Sequence, residues 1–334
     1  MSLIQIVPHD PASSEGVGSY ALALGAALAR EGEIGSRCLA AAALPEQSAR
    51  ALAAALAGES TVLLHYANYG YQRRGCPSWL IDGIERWKGE ETGRRLVTVF
   101  HEVYATGPPW RSSFWLSPRQ RQLAARLVRA SDAAVTSLDL YASVLHRWRP
   151  TVPIAVAPVF SGVGEPAAVT PLVSRPRRLL LFGGAGARRR AWSDLREQLL
   201  AACEILGLEE VWDVGPGVGA PAWLGTRPVR ELGVLPSAEV SARLLEGYAG
   251  FVAYPAAFLG KSGIFAAYSA HGLLPVCAWN GGGGAGATNG VPPHWNPVQP
   301  VPADPDALAA AAHAWYESHS LARQAETFQE LIEG

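Results

Sequence analysis

Long hydrophobic runs are missing from this 334-residue chain: none approaches the ~18 apolar residues of a membrane span, so a transmembrane protein is not expected. The opening stretch, MSLIQIVPHDP, has neither a basic leader nor a small-residue cleavage site, reads directly as a first strand, and does not suggest secretion. Cysteine is scarce. Cys38, Cys76, Cys203 and Cys277 lie far apart with no Cys-x-x-Cys, which argues against a zinc knuckle or disulfide framework and for a reducing, cytoplasmic setting in which they serve as small buried apolar residues. Charge is scarce too: 17% of residues are charged and the formal net charge is −1, so nothing draws the whole chain to nucleic acid, which is not expected as a partner. Peripheral contact with a membrane stays open, and any anion must be handled locally. A nucleotide-hydrolysing phosphate loop is missing as well. Gly260-Lys261-Ser262 has the right ending, but Pro255 stands where the loop's first glycine belongs, and no apolar strand ending in aspartate follows to hold magnesium.

What is abundant is apolar residue, 49%, in a chain long enough for two cores of roughly 150 residues each. Short apolar runs at 3–7, 61–66, 96–100, 133–136 and 154–157 alternate with helical periods, one opening at Gly16-Val17-Gly18-Ser19, another at Ser117-Pro118 with Leu123, Leu127 and Val128 on one face. That alternation predicts an α/β chain with a parallel sheet under helices. The stretch 161–176 has no period and reads as a linker. The pattern then restarts with strands at 179–182, 251–254 and 274–278, a helix capped by Ser193, another capped by Ser237, and a long helix from Pro305. The glycine-rich stretch from Asn280 to Gly290 reads as a loop. The expected organisation is two Rossmann-like domains, 1–160 and 177–310, joined by 161–176, with 311–334 returning to the first.

Ligands of open parallel sheets sit beyond the strands' carboxyl ends, where loops enter helix N-termini. In the first half those exits carry His9, Asp10 and Glu15 before Gly16 and Gly18; Tyr69; and His101, Glu102 and Tyr104. In the second they carry Gly184 with Arg188, Arg189 and Arg190; Gly215; and Lys261, Ser262, Gly263 and Ile264. The first half thus offers carboxylates, imidazoles and aromatics suited to a polyol, the second glycines and cations suited to phosphate. Each has a plainer reading: the arginines as a solvated turn, Lys261 reaching past apolar neighbours to water, His101 and Glu102 in a structural hydrogen bond, His65 as a satisfied core histidine.

These residues resemble the GT-B fold glycosyltransferases, in particular the retaining glycosyltransferase family 4. Gly16-Val17-Gly18-Ser19-Tyr20 resembles that family's glycine-rich first loop, Phe100-His101-Glu102 its strand-end histidine that contacts the transferred sugar, and Ala270-His271-Gly272-Leu273-Leu274-Pro275-Val276 its Ala-x-Gly-x-Pro-Val signature. The resemblance implies two domains facing each other across a cleft and transfer of a sugar from a nucleotide diphosphate donor to an unspecified glycan, lipid or small molecule. The candidate catalytic residues are then His101, Glu102 and Lys261. Donor contacts fall to Gly16, Gly18, Gly184, Arg188, Arg189, Arg190, Gly215, Ser262, Gly263 and Ile264, acceptor contacts to His9, Asp10, Tyr69 and Tyr104. No cofactor or metal is implied, on the view that cations replace a divalent ion and that the chain lacks an Asp-x-Asp pair. One departure is plain: the family's paired glutamates are replaced by Leu259 and Ala267. The alternative function is a degenerate relative that binds a nucleotide sugar or glycan, or supports a partner enzyme.

Overall fold

A computed structural model describes residues 2–12, 16–281 and 290–334; Glu15 and most of the glycine-rich stretch fall outside them. The chain divides into two compact units, Met1–Pro158 with Leu321–Gly334, and Val159–Ser320.

The first unit runs β1 (Ser2–Val7), α1 (Gly16–Glu31), β2 (Gly35–Ala40), α2 (Ala49–Ala55), β3 (Thr61–Tyr66), α3 (Asn68–Tyr71), α4 (Ser78–Glu90), β4 (Arg95–Phe100), α5 (Ser112–Ala130), β5 (Ala133–Thr136), α6 (Asp139–Trp148) and β6 (Ile154–Val156). Its strands form one parallel sheet in the order β2-β1-β3-β4-β5-β6. The chain leaves β1 toward β2 and returns on the other side to β3, so the topological switch lies between β1 and β3. Every residue of β3 is buried, as a largely apolar run in a central parallel strand should be, the polar Thr61 and His65 included. β2 lies at the edge and is half exposed, which is why its weak apolar pattern gives no strand signal in the sequence.

The second unit runs β7 (Arg178–Phe182), α7 (Ala185–Ser193), α8 (Arg196–Ile205), β8 (Glu210–Val214), β9 (Trp223–Leu224), β10 (Arg227–Gly233), α9 (Ser237–Leu245), β11 (Ala249–Ala253), α10 (Gly263–Ala270), β12 (Leu274–Ala278) and α11 (Pro305–Glu317). Its sheet has the order β12-β11-β7-β8-β10-β9, parallel except for β9, with the switch between β7 and β11. Leu179 and Leu181 join one core with residues of α7, α8 and α11, while Leu180 joins another with residues of α9 and α10, so helices cover both faces. A final helix, α12 (Leu321–Glu333), belongs to the first unit, where Gln324 accepts from the Tyr20 hydroxyl of α1 at 2.6 Å and the Leu331 carbonyl accepts from Arg95. Both units are Rossmann-like.

Several expectations change. The stretch 161–176 belongs to the second unit: Leu172 lies in its core, and the buried Arg175 guanidinium donates to the carbonyls of Thr170, Gly247 and His271 at 2.8, 3.0 and 2.8 Å. Helix α5 starts five residues before Ser117 and carries Pro118 in its second turn, at the cost of the bond to the Phe114 carbonyl. Ser193 ends α7 instead of capping a helix; its hydroxyl donates back to the Arg189 carbonyl. The long C-terminal helix is two helices, broken at 318–320.

Candidate functional site

At the switch of the second sheet, β7 and β11 pair through Leu179 with Ala249 and Leu180 with Gly250. Beyond those pairs the Tyr268 hydroxyl of α10 stands between the strands. It accepts from the Phe182 amide at 3.0 Å and reaches the carbonyls of Leu180 and Phe251 at 3.1 and 3.3 Å. Room for the ring is made by Gly250, where an added Cβ would sit 2.4 Å from it. The strands are thus wedged apart at the place where an open α/β sheet receives ligands.

Two glycines shape the loops above this wedge. Gly183, leaving β7 with φ of 117°, passes so close to Ile264 of α10 that a Cβ would lie 2.5 Å from its side chain. Gly215, leaving β8 with φ of 142°, allows no Cβ either, because the Arg188 guanidinium and the Gly183 carbonyl are within 2.4 Å of where it would be. Helix α7 follows Gly184 with no side-chain cap, and open space lies over Gly184, Gly186 and Gly263. Helix α10 is capped by Ser262, whose hydroxyl accepts from the Phe265 amide at 3.2 Å. The Ser262 oxygen accepts there and its O–H remains a donor, so this helix start offers an anion the amides of Gly263 and Ile264 together with the Ser262 hydroxyl.

The cations sort differently from expectation. Arg188 is no phosphate ligand but an internal brace, 2% exposed, paired with Asp213 and donating to the carbonyls of Gly183 at 3.2 Å and Pro216 at 2.6 Å. Asp213 also accepts from the Trp192 indole at 2.6 Å, so the pair is fully engaged. Arg190 lies 4.8 Å over the Trp279 ring and reaches the Ala253 carbonyl at the end of β11. Arg189 is exposed, and Lys261 is half-buried at the end of a 3-10 turn, Ala256–Lys261, that leads into the α10 cap.

In the first unit, His101 leaves β4 with its amide bonded to the Tyr66 carbonyl and its ring stacked on His65, centroids 5.5 Å apart, with Tyr20 edge-on at 5.2 Å. Glu102 makes no pair with it; its charge instead bears on Tyr66 and Tyr141, whose hydroxyl is raised to about 12 first by burial and then by Glu102. The Asp10 carboxylate accepts from the Ala12 amide at 2.9 Å, and His9 is half-buried beside it in sequence. Gly18 is needed for packing, since a Cβ there would meet the Pro11 backbone at 2.7 Å, whereas Gly16 is exposed with open space above it. Tyr69 is 40% exposed and accepts from the buried Gln120 amide at 3.1 Å. Tyr104 is a packing residue, lying under the Arg121 guanidinium at 4.3 Å and against Trp148.

Sequence reasoning missed Gln5, Asp213 and Tyr268, and read His65 as the satisfied core histidine it is. All are polar residues at 0 or 1% exposure inside apolar runs, and that burial is the signal that marks them. Leu259 and Ala267, in place of the family's glutamates, sit in the core formed with α9 and α10. Against the expectation of none, the sequence holds one Asp-x-Asp, Asp304-Pro305-Asp306. There Asp304 caps α11 through the Ala307 amide at 2.9 Å, and Asp306 accepts from the Val173 amide at 3.3 Å. Among the described residues no group of three or more His, Cys, Asp or Glu side chains could hold a metal ion, and no helix is long and apolar enough to cross a membrane.

No family model and no curated protein matches the chain. Solved structures do. An alpha-glucosyltransferase in complex with UDP and DNA aligns over 100% of both chains at 11% identity and a TM-score of 0.54. WaaG, a glycosyltransferase involved in lipopolysaccharide biosynthesis, aligns over 100% of both at 12% identity and 0.51. A UDP-N-acetylglucosamine 2-epimerase aligns over 97% of this chain and 90% of its own at 11% identity and 0.52. At such identities the likeness carries the fold, which is that of GT-B proteins, and no more.

Proposed function

We propose that the chain is a glycosyltransferase that takes a nucleotide diphosphate sugar as donor, without metal or other cofactor, and retains anomeric configuration. The observation that carries this reading is the wedge between β7 and β11, with the glycine loop at Gly183 and the starts of α7 and α10 gathered above it. Backbone amides at Gly184, Gly186, Gly263 and Ile264 would take the diphosphate, and the dipoles of both helices favour its charge. Lys261 and Arg189 add positive charge, so departure of the nucleoside diphosphate is eased electrostatically rather than by a divalent ion. The first unit supplies His101, and Tyr69 and Asp10 belong with the acceptor, whose class is a glycan, a lipid or a small molecule. Structures of this fold that carry UDP make a uridine donor the first to try.

A second reading has its own support. Leu259 and Ala267 are 1% and 0% exposed, so the positions that resemblance would give to sugar- and ribose-binding glutamates are core. This favours a protein that binds a nucleotide sugar without transferring it. A screen of nucleotide sugars separates the two: transfer or donor hydrolysis supports the enzyme, whereas a ligand-induced rise in melting temperature with no turnover supports the binding protein.

A further inference from the structure

Four of the five exposed aromatic side chains among the described residues stand at the carboxyl ends of β3 and β4, neighbouring strands of the first sheet. Tyr69 follows β3, and Trp110, Phe114 and Trp115 follow β4; Trp223, on β9, is the fifth. Trp110 is 83% exposed, Trp115 71% and Phe114 43%. Single apolar side chains are ordinary on a surface, but three rings this close in sequence make a patch. The patch is held in place. The Trp115 indole donates to the Pro109 carbonyl at 2.8 Å, and the Phe114 and Trp115 rings meet edge-on with centroids 5.3 Å apart. The buried Gln120 of α5 ties the two strand exits together, accepting from the Ala105 amide at 2.8 Å and donating to the Arg74 carbonyl at 3.2 Å. Charge follows the same surface. Residues 67–81 and 103–131 hold seven arginines and no aspartate or glutamate, in a chain whose formal net charge is −1. Arg126 is paired with Asp82 and Glu85, and Arg121 lies over Tyr104. Arg73, Arg74 and Arg111 are exposed, and among the described residues no carboxylate pairs with them.

We propose that this face docks onto an anionic membrane surface, with Trp110, Phe114 and Trp115 entering the headgroup boundary and Arg73, Arg74 and Arg111 meeting lipid phosphates. Indoles favour that boundary because one end of the ring is apolar and the other carries an N–H, and arginines beside them gain from the negative surface potential. Exposure decides between a membrane and a nucleic acid. A single strand stacks its bases along a charged groove, whereas a ring as exposed as Trp110 projects from the protein and has no groove around it. A bilayer needs no groove, since it surrounds whatever projects into it. Tyr69 stands on the same loops, so of the acceptor classes named above this placement selects a lipid. That choice rests on the proposed function; the docking does not.

Co-sedimentation of the full chain with vesicles tests this, comparing phosphatidylcholine alone with phosphatidylcholine mixed with phosphatidylglycerol. The protein should partition onto the mixed vesicles, far less onto phosphatidylcholine, and be released as salt is raised. Arg111→Gln should weaken partitioning about fivefold, and Trp110→Ser with Trp115→Ser about tenfold or more. Trp223→Ala, which removes the exposed indole of the second unit, should bind as the wild type does. Circular dichroism checks that each variant is folded; Trp110→Ser alone, at the most exposed of these positions, serves if the double variant is not. No partitioning onto the mixed vesicles would overturn the proposal, as would partitioning that survives loss of both indoles or falls equally in Trp223→Ala. Binding to a single-stranded oligonucleotide with none to vesicles would overturn it in favour of nucleic acid. Partitioning by a protein that neither binds nor turns over any nucleotide sugar would sink the proposed function and leave the docking standing.

Discussion

Arg188 and Asp213 form a buried ion pair beneath the two glycine loops of the second unit, with exposures of 2% and 0%. The guanidinium also holds the Gly183 and Pro216 carbonyls, so one side chain ties the exit of β7 to the exit of β8. Removing one partner of such a pair strands the other charge out of water. Arg188→Met is expected to lower unfolding free energy by about 3 to 5 kcal/mol, while Arg188→Met with Asp213→Leu recovers part of the loss. Denaturant unfolding of the single and double variants checks this. A single variant with wild-type stability but weakened phosphate binding would return Arg188 to the ligand.

Tyr268 is a hydrogen-bonding wedge, so its hydroxyl matters more than its ring. Tyr268→Phe keeps the packing but leaves the Phe182 amide without its acceptor, at a cost of about 1 to 3 kcal/mol. Chemical denaturation measures it, and a loss under a few tenths would mean the strand ladder closes over the gap.

Lys261 is the cation next to the α10 start. Lys261→Ala should weaken nucleoside diphosphate binding by about 1 to 3 kcal/mol, the worth of one charge-assisted hydrogen bond. Calorimetric titration decides, and an unchanged dissociation constant would remove Lys261 from the site.

Stability should fall in mild acid. His271 donates through Nδ1 to the Ala267 carbonyl at 2.7 Å, sits against the Ser241 hydroxyl, and has its pKa lowered to about 4, chiefly by burial. His65 is lowered as well. A histidine whose folded pKa lies below its unfolded value near 6.5 binds more protons when unfolded. Its contribution is therefore fully present above that pH and is lost as pH falls toward 4, about 3 kcal/mol for His271 alone. Unfolding free energies at pH 7.5, 6 and 4.5 should decline in that order. In His271→Asn the decline should be shallower, and an identical slope in the variant would show that His271 is not one of the groups responsible.

The sequence displayed the central strands because burial on both faces leaves a mostly apolar run, as in β3 and β11. It hid β2, an edge strand, and β10, flanked on one side only by the two-residue β9, because their exposed residues need not be apolar, and it showed β8, whose length holds the paired Asp213, only through its exit at Gly215. Candidate site residues were legible as strand exits, since topology places them there. Their roles were not, because a lone arginine after a glycine turn looks the same whether it meets phosphate or, like Arg188, an aspartate 25 residues later. The contact of His65 with Gln5 and His101 was likewise invisible: the three residues come from β3, β1 and the exit of β4, and only the strand registers bring them together.

The account stands or falls on whether the loops above the β7/β11 wedge hold a diphosphate. Amide chemical-shift mapping on nitrogen-15 labelled protein, titrated with nucleoside diphosphates beginning with UDP, tests this most directly. Saturable shifts should concentrate at Gly184, Gly186, Gly263 and Ile264. Saturable binding with those four amides unmoved, or no binding by any nucleoside diphosphate, would contradict it.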